Sequence, residues 1–339
     1  MSKPFSKIST DVDFERTGKQ VGYLRAPNST NASGWGTLLI PIVVISNGDG
    51  PTVLFTGGNH GDEFEGPIAL LKLAGELRPE DVQGRVIIMP GLDYPALQAG
   101  TRLSPIDGRN MNRVFPGERD GSITQMIAHY VYNALLPLAD VVVDMHSGGN
   151  SMIFAPSVVM HHLEDQDQME RTMDALKHFG APVALVLREL DSGGMLDTAV
   201  EEMGKIFLST ELGGGGFVTP VTARVADLGI RNVLRHFGVI AGEPQSPTTH
   251  GLPTTRLMDC PEQGGYVMSW NDGLYEPLVE VLDEVRAEQL LGRIYDPDHP
   301  AAAAVEVRAE RDGLLITRAG RGRVRRGDTI AVVAVDYSG

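Results

Sequence analysis

Over roughly its first two-thirds the chain alternates short apolar runs with longer stretches of helical periodicity. Residues 51–56 (PTVLFT), 85–89 (RVIIM), 140–144 (DVVVD), 183–187 (VALVL) and 205–209 (KIFLS) read as strands. They are rich in β-branched residues and too short for helices. Their lack of strict polar alternation implies burial on both faces. Residues 64–76, 122–136 and 221–237 read as helices, the second stopped at Pro137. The alternation predicts an α/β domain over residues 1–242, with a mixed, largely parallel sheet flanked by helices. Strand-like pieces before about Val44 are expected to extend the edge of that sheet. In such sheets, ligands sit beyond the carboxyl ends of the strands.

The texture then changes. Residues 243–257 are rich in Pro and Thr and read as a linker. Residues 258–339 carry short β-like pieces at regular spacing, which predicts a small all-β, barrel-like unit. Residues 285–292 (VRAEQLLG) resemble the turn before a core strand in biotinyl and lipoyl barrels. Those barrels carry their cofactor on a lysine, and the last lysine here is Lys205. The unit is therefore expected to brace or oligomerise the catalytic part.

The formal net charge of −15 opposes binding to nucleic acid or to anionic lipid, and no basic stripe offsets it. One cysteine, Cys260, leaves no internal disulfide and no multi-cysteine metal site. Residues 1–10 are polar, unlike a signal peptide, and no apolar run approaches the roughly 20 residues that span a bilayer. The expectation is a reduced, soluble, cytoplasmic protein with a small-molecule substrate. A homo-oligomer is left open.

Three polar clusters follow the expected strands. In Gly57-Gly-Asn-His-Gly-Asp-Glu63, His60 and Glu63 stand three apart where a loop enters a helix. Zinc takes such ligands at about 2.0–2.2 Å, commonly three from the protein in a catalytic site. Asp144-Met-His146 offers His146 as the third. Asp144 lies on the same strand face, placed to accept a hydrogen bond from a ligating histidine. Taken singly, each piece is as readily a core histidine or a chance spacing. In Ser209-Thr-Glu-Leu-Gly-Gly-Gly-Gly216, Glu211 is a strand-end carboxylate suited to general base and acid work, with a surface turn as the alternative. Residues 102–117 hold three arginines in an acidic protein, which suggests anion recognition. Asn112 and Arg113 form the candidate carboxylate clamp, and Arg102 the candidate oxyanion donor. Arg109 reads as a surface residue.

Gly58-Asn-His-Gly-Asp-Glu63, Asn112-Arg113-Val-Phe-Pro-Gly117, Asp144-Met-His146 and Thr210-Glu211-Leu-Gly213 together resemble the succinylglutamate desuccinylase/aspartoacylase family, relatives of the zinc carboxypeptidases. The resemblance implies one zinc ion per chain, held by His60, Glu63 and His146. It implies Glu211 as base and acid, Arg102 as carbonyl polariser and Asn112-Arg113 as carboxylate binder. The expected reaction is amide hydrolysis of an N-acyl amino acid. Over its whole length the chain most resembles the branch that deacetylates N-alpha-acetyl-L-2,4-diaminobutyrate in ectoine degradation. The side-chain ammonium of that substrate needs an acidic partner, for which Glu189 and Asp191 are candidates, with solvated loop charges as the alternative. The rival readings are a deacylase of another N-acyl amino acid, succinylglutamate- or acetylaspartate-like, and a non-catalytic metal-binding protein on the same fold.

Overall fold

The computed structural model describes residues 5–188 and 193–338. Its centre is a long mixed sheet. In spatial order the inner strands are Gly84–Met89, Thr52–Gly57, Val141–Met145, Ile206–Glu211, Ser157–His161 and Val183–Leu187. The first four of these run parallel to one another. Ser157–His161 pairs antiparallel with Ile206–Glu211 and parallel with Val183–Leu187. The expected fold class is what forms, with boundaries within a residue or two for the strands.

Burial on both faces explains the apolar runs. Val53 and Phe55, Val86 and Ile88, and Val141 and Val143 enter one core. The intervening Leu54, Ile87 and Val142 enter the opposite one. Period-2 side-chain alternation thus feeds two apolar layers from one strand. The first layer is closed by the helices Glu65–Glu76, Gln166–Phe179 and Pro220–His236, the second by Ile123–Tyr130 and Leu196–Glu201. The helix expected to reach position 136 is regular to Tyr130, widens into a π-type turn over Val131–Leu135 and ends as the tighter turn Leu136–Leu138 around Pro137. Among the described residues no helix is long and apolar enough to cross a membrane.

The antiparallel hairpin Gly18–Pro27 and Thr37–Asn47 adds to the sheet beside Gly84–Met89, as the N-terminal alternation suggested. At the far side, Arg256–Asp259 pairs parallel with Val183–Leu187, and Thr329–Asp336 and Gly313–Ala319 follow antiparallel. The sheet therefore runs without a break into the C-terminal unit. A separate four-stranded antiparallel sheet, Val305–Arg308, Leu290–Tyr295, Gly273–Pro277 and Arg323–Val324, completes that unit. Val159, Leu185, Met258, Cys260, Ile316 and Val332 share one core that joins the two parts. Met152–Phe154, from the catalytic part, pairs antiparallel with Gly313–Ala319. That pairing brings the C-terminal unit against the loop that follows His146.

Candidate active site

Three neighbouring parallel strands, Thr52–Gly57, Val141–Met145 and Ile206–Glu211, end at the same edge. Their registers align Thr56 and Ser209 with Asp144. Each strand delivers one of the polar clusters there. The loop after Thr52–Gly57 carries His60 and Glu63 before the helix Glu65–Glu76 begins. Gly61 sits so tightly in that loop that a Cβ would lie 1.9 Å from the carbonyl carbon of Ala96, so no other residue fits without moving backbone. After Glu211, Gly213, Gly214, Gly215 and Gly216 all have positive φ, conformations that favour glycine. The Gly213 carbonyl accepts hydrogen bonds from the Gly148 and Phe154 amides, at 3.1 and 2.9 Å. The glycine run therefore fixes the loop after His146 as well as its own.

His60 Nδ1 lies 2.8 Å from Glu63 Oε1, and His146 Nδ1 lies 2.9 Å from Glu63 Oε2. The Ser147 amide also donates to Glu63 Oε2, at 3.1 Å, and Arg102 Nη1 reaches Oε1 at 3.3 Å. His146 Nε2 faces Asp144 Oδ2 at 2.8 Å. Asp144 is held in turn by the Thr56 hydroxyl at 2.6 Å and the Asn59 amide at 2.7 Å. His60 Nε2 faces Asn110 Oδ1 at 3.0 Å, an oxygen that also accepts the Asn112 amide at 2.9 Å. Asn110, Asn59 and Thr56 were not singled out by sequence reasoning. Asn110 lies inside the arginine loop, where Asn112 drew the assignment instead.

These contacts decide the histidine tautomers. The Asn110 oxygen and the Asp144 carboxylate only accept, so the Nε2 atoms of His60 and His146 carry the protons. Both Nδ1 lone pairs then converge on a carboxylate. That arrangement requires either a second proton on each ring or a cation among the three groups. Their ligand atoms all lie within 4.8 Å of one another, a span that suits a single ion with bonds near 2 Å. The charge balance agrees. Glu63, Glu65 and Asp144 are buried beside Glu211, whose Oε2 is buried and has no hydrogen-bond partner among the described residues. The residues present fit a divalent cation.

The titration tendencies follow from the same packing. Burial alone would raise the Glu63 carboxyl, but the charge and hydrogen bond of His146, with those of His60, hold it at about 2. His146 is disfavoured as a cation by burial, yet Asp144 and Glu63 raise it well above the usual imidazole range. Glu211 goes the other way, pushed up to about 8 by burial and by the charge of Glu63. Two carboxylates in one site are thus driven apart, the arrangement expected of a ligand and a proton carrier.

His60, Glu63, His146, Arg102, Asn112, Arg113 and Glu211 all line one cavity of about 580 Å³. Asn112 Oδ1 accepts the Leu196 amide at 2.9 Å, which leaves its Nδ2 as the free donor side of the amide. Asp144 stands behind His146. Arg109 is exposed and off the cavity, as expected. Asp191 and Glu189, the candidates for an ammonium partner, lie outside the described residues. The opposite wall comes from the C-terminal unit through Cys260, Tyr266, Ile316, Thr317 and Val332. The sequence presented that unit as a brace, with no sign that it shapes the pocket.

Residues 49–237 match the succinylglutamate desuccinylase/aspartoacylase catalytic domain. The chain belongs to the succinylglutamate desuccinylase/aspartoacylase family. Family membership makes the protein an amide hydrolase. The chain is 48% identical over 329 residues to the N-alpha-acetyl-L-2,4-diaminobutyric acid deacetylase of Halomonas elongata, covering 97% of this chain and 95% of that one. It superposes on the crystal structure of a succinylglutamate desuccinylase/aspartoacylase from Rhodobacter sphaeroides with a TM-score of 0.94, at 48% identity, over 98% of this chain and 100% of that one. It also superposes on the product-bound ectoine utilization protein EutE (DoeB) of Ruegeria pomeroyi with a TM-score of 0.93, at 45% identity, over 97% and 99% of the two chains. Both comparisons extend beyond the family's catalytic domain into the C-terminal unit that closes the cavity.

Proposed function

We propose that the protein is a zinc-dependent deacetylase that hydrolyses N-alpha-acetyl-L-2,4-diaminobutyrate to acetate and L-2,4-diaminobutyrate. The observation that carries this reading is the 48% identity to the Halomonas elongata deacetylase over 97% of the chain, both walls of the cavity included. His60, Glu63 and His146 are the proposed ligands of one zinc ion, a donor set that leaves a coordination position open. When bound there, zinc supplies a Lewis acid that polarises the amide carbonyl and makes water easier to deprotonate.

The chain's own groups do the rest. Glu211 takes the proton of the attacking water, holds it within the cavity, and delivers it to the leaving amine nitrogen. Its raised affinity for protons suits both transfers near neutral pH. Arg102, with its side chain 46% exposed, reaches inward far enough to contact Glu63. Its guanidinium stabilises the negative charge that develops on the carbonyl oxygen, a contribution of a few kcal/mol in comparable sites. Arg113 and the Asn112 Nδ2 amide receive the α-carboxylate of the substrate.

Replacing Arg113 with Ala should raise KM by about 10- to 100-fold while kcat changes little, because the contact is the same in ground and transition states. Steady-state kinetics checks this, and an unchanged KM would remove Arg113 from the clamp. Asp144→Asn should weaken zinc affinity by about 10- to 100-fold without unfolding the protein, since His146 loses the charged acceptor that fixes its ring and raises its basicity. Competition with a chromogenic chelator measures it, and wild-type affinity would make Asp144 a purely structural residue.

The function itself is tested by acetate release from N-alpha-acetyl-L-2,4-diaminobutyrate by the zinc-loaded protein, with N-acetylaspartate and N-succinylglutamate in parallel. Fast release from the first substrate alone is expected. Turnover of only another acyl amino acid would keep the chemistry and overturn the specificity.

A further inference from the structure

One charged group on the cavity wall has no role in the scheme above. Asp197 lies in the first turn of the helix Leu196–Glu201 and lines the cavity. His161, the last residue of the strand Ser157–His161, lines it too. His161 Nδ1 is 3.1 Å from Glu201 Oε1, one turn beyond Asp197 on the same helix. Asp197 Oδ1 accepts the Thr198 amide at 2.6 Å and its hydroxyl at 3.2 Å. Among the described residues, its Oδ2 accepts no hydrogen bond. Leu187 and Met195 line the same cavity and give it apolar surface.

The electrostatics leave this carboxyl short of positive charge. Burial raises it above the ordinary carboxylate range, the attraction of His161 only partly opposes that, and Glu201 adds repulsion. Even with His161 protonated, Asp197, His161 and Glu201 together keep a net charge of −1. Asp197 and His146 line the same cavity, so a substrate held there with its amide beside His146 faces Asp197 as well.

We infer that Asp197 selects the substrate's side chain, its carboxylate receiving a primary ammonium on a short aliphatic arm, with His161 and Glu201 positioned behind it. The substrate class is then an N-acyl diamino acid. The inference rests on the deacetylase reading and adds the residue that enforces it. It also places the ammonium partner on a helix anchored in the second core through Leu196 and Val200, where the sequence offered Glu189 and Asp191 as candidates. A half-buried carboxylate that meets a methyl group in place of its charged partner is left unsatisfied, so discrimination should be large.

The test compares N-alpha-acetyl-L-2,4-diaminobutyrate with N-alpha-acetyl-L-norvaline, which carries a methyl group where the first has its ammonium. The quantity read is the ratio of their kcat/KM values in the zinc-loaded protein. Wild type should favour the cationic substrate by about 100-fold, and Asp197→Asn should collapse the ratio to within a few-fold of unity. The loss should appear mainly in KM for the cationic substrate, and Asp197→Glu should restore part of the ratio. A wild-type preference kept intact in Asp197→Asn would overturn the role of Asp197 and leave the deacetylase reading standing. No preference in wild type would overturn both. Equal losses on the two substrates, in Asp197→Asn and Asp197→Glu alike, would make Asp197 a structural residue and end the proposal.

Discussion

Glu211→Gln should lower turnover of the acetylated substrate by about 10³-fold or more, with KM and bound metal nearly unchanged. Gln keeps the size and one acceptor oxygen of Glu but can neither take nor return a proton. The substitution should also change stability in a direction that identifies the group. The carboxyl is held at about 8 in the folded chain, well above its ordinary value. A carboxyl raised in this way contributes stability below its unfolded value and loses it as pH rises through the folded one. Between about pH 4.5 and 8 the metal-free wild type should therefore weaken more than Glu211→Gln does. Above pH 8 the metal-free variant should be the more stable of the two, by on the order of 1–3 kcal/mol. A bound divalent ion would favour the ionised carboxylate and narrow that gap. Thermal melts at pH 5 and pH 8.5, with and without chelator, measure the effect. A variant that loses the metal would show Glu211 to be a ligand. One that keeps a tenth of wild-type turnover would place the base elsewhere.

What the sequence made legible is what local pattern controls. The inner strands were readable because both faces are buried, so apolar residues run without a break, as in Val141, Val142 and Val143. The helix Gln166–Phe179 carried readable signals that went unused. Asp165 caps it by accepting the Gln168 amide at 2.8 Å, and Gly180 ends it in a left-handed conformation. The polar clusters stood out because each interrupts an apolar strand at its carboxyl end, where a parallel sheet gathers them. The rest depends on contacts between distant segments. Nothing local marks Asp197, which reads as an ordinary acidic residue in a helix's first turn. Nothing in Met152-Ile153-Phe154 announces that it pairs with Ala319, Arg318 and Thr317 and so brings a second wall to the cavity. Asn110 was hidden by its neighbours, since a loop with two asparagines and three arginines offers several equivalent readings until the fold chooses one.

Stripping the metal should abolish turnover and leave a folded protein whose stability and metal affinity move in opposite directions with pH. Without the ion, the two Nδ1 atoms and Glu63 can be reconciled only by protons, and the pull of Asp144 and Glu63 keeps His146 cationic through neutral pH. A histidine raised in this way contributes stability fully below its unfolded value near 6.5 and loses it as pH rises through the folded one. Glu63, held at about 2, contributes stability above its unfolded value near 4.5 and loses it only as pH falls toward 2. The metal-free cluster should thus be most stabilising in mildly acidic solution, and its melting temperature should drop on the alkaline side. Metal binding runs the other way, because an imidazole must give up its Nδ1 proton to become a ligand. Loading at pH 7 should release at least one proton from His146, so affinity should climb about tenfold per pH unit for each proton released. Titration calorimetry in two buffers of different ionisation enthalpy counts those protons. A count of zero would mean that His146 is already neutral in the metal-free protein, and the convergence of both rings on Glu63 would then need another explanation. A count that falls by about one in His146→Ala, the remainder coming from groups such as Glu211, together with at least a 100-fold loss of affinity, would tie that proton to His146.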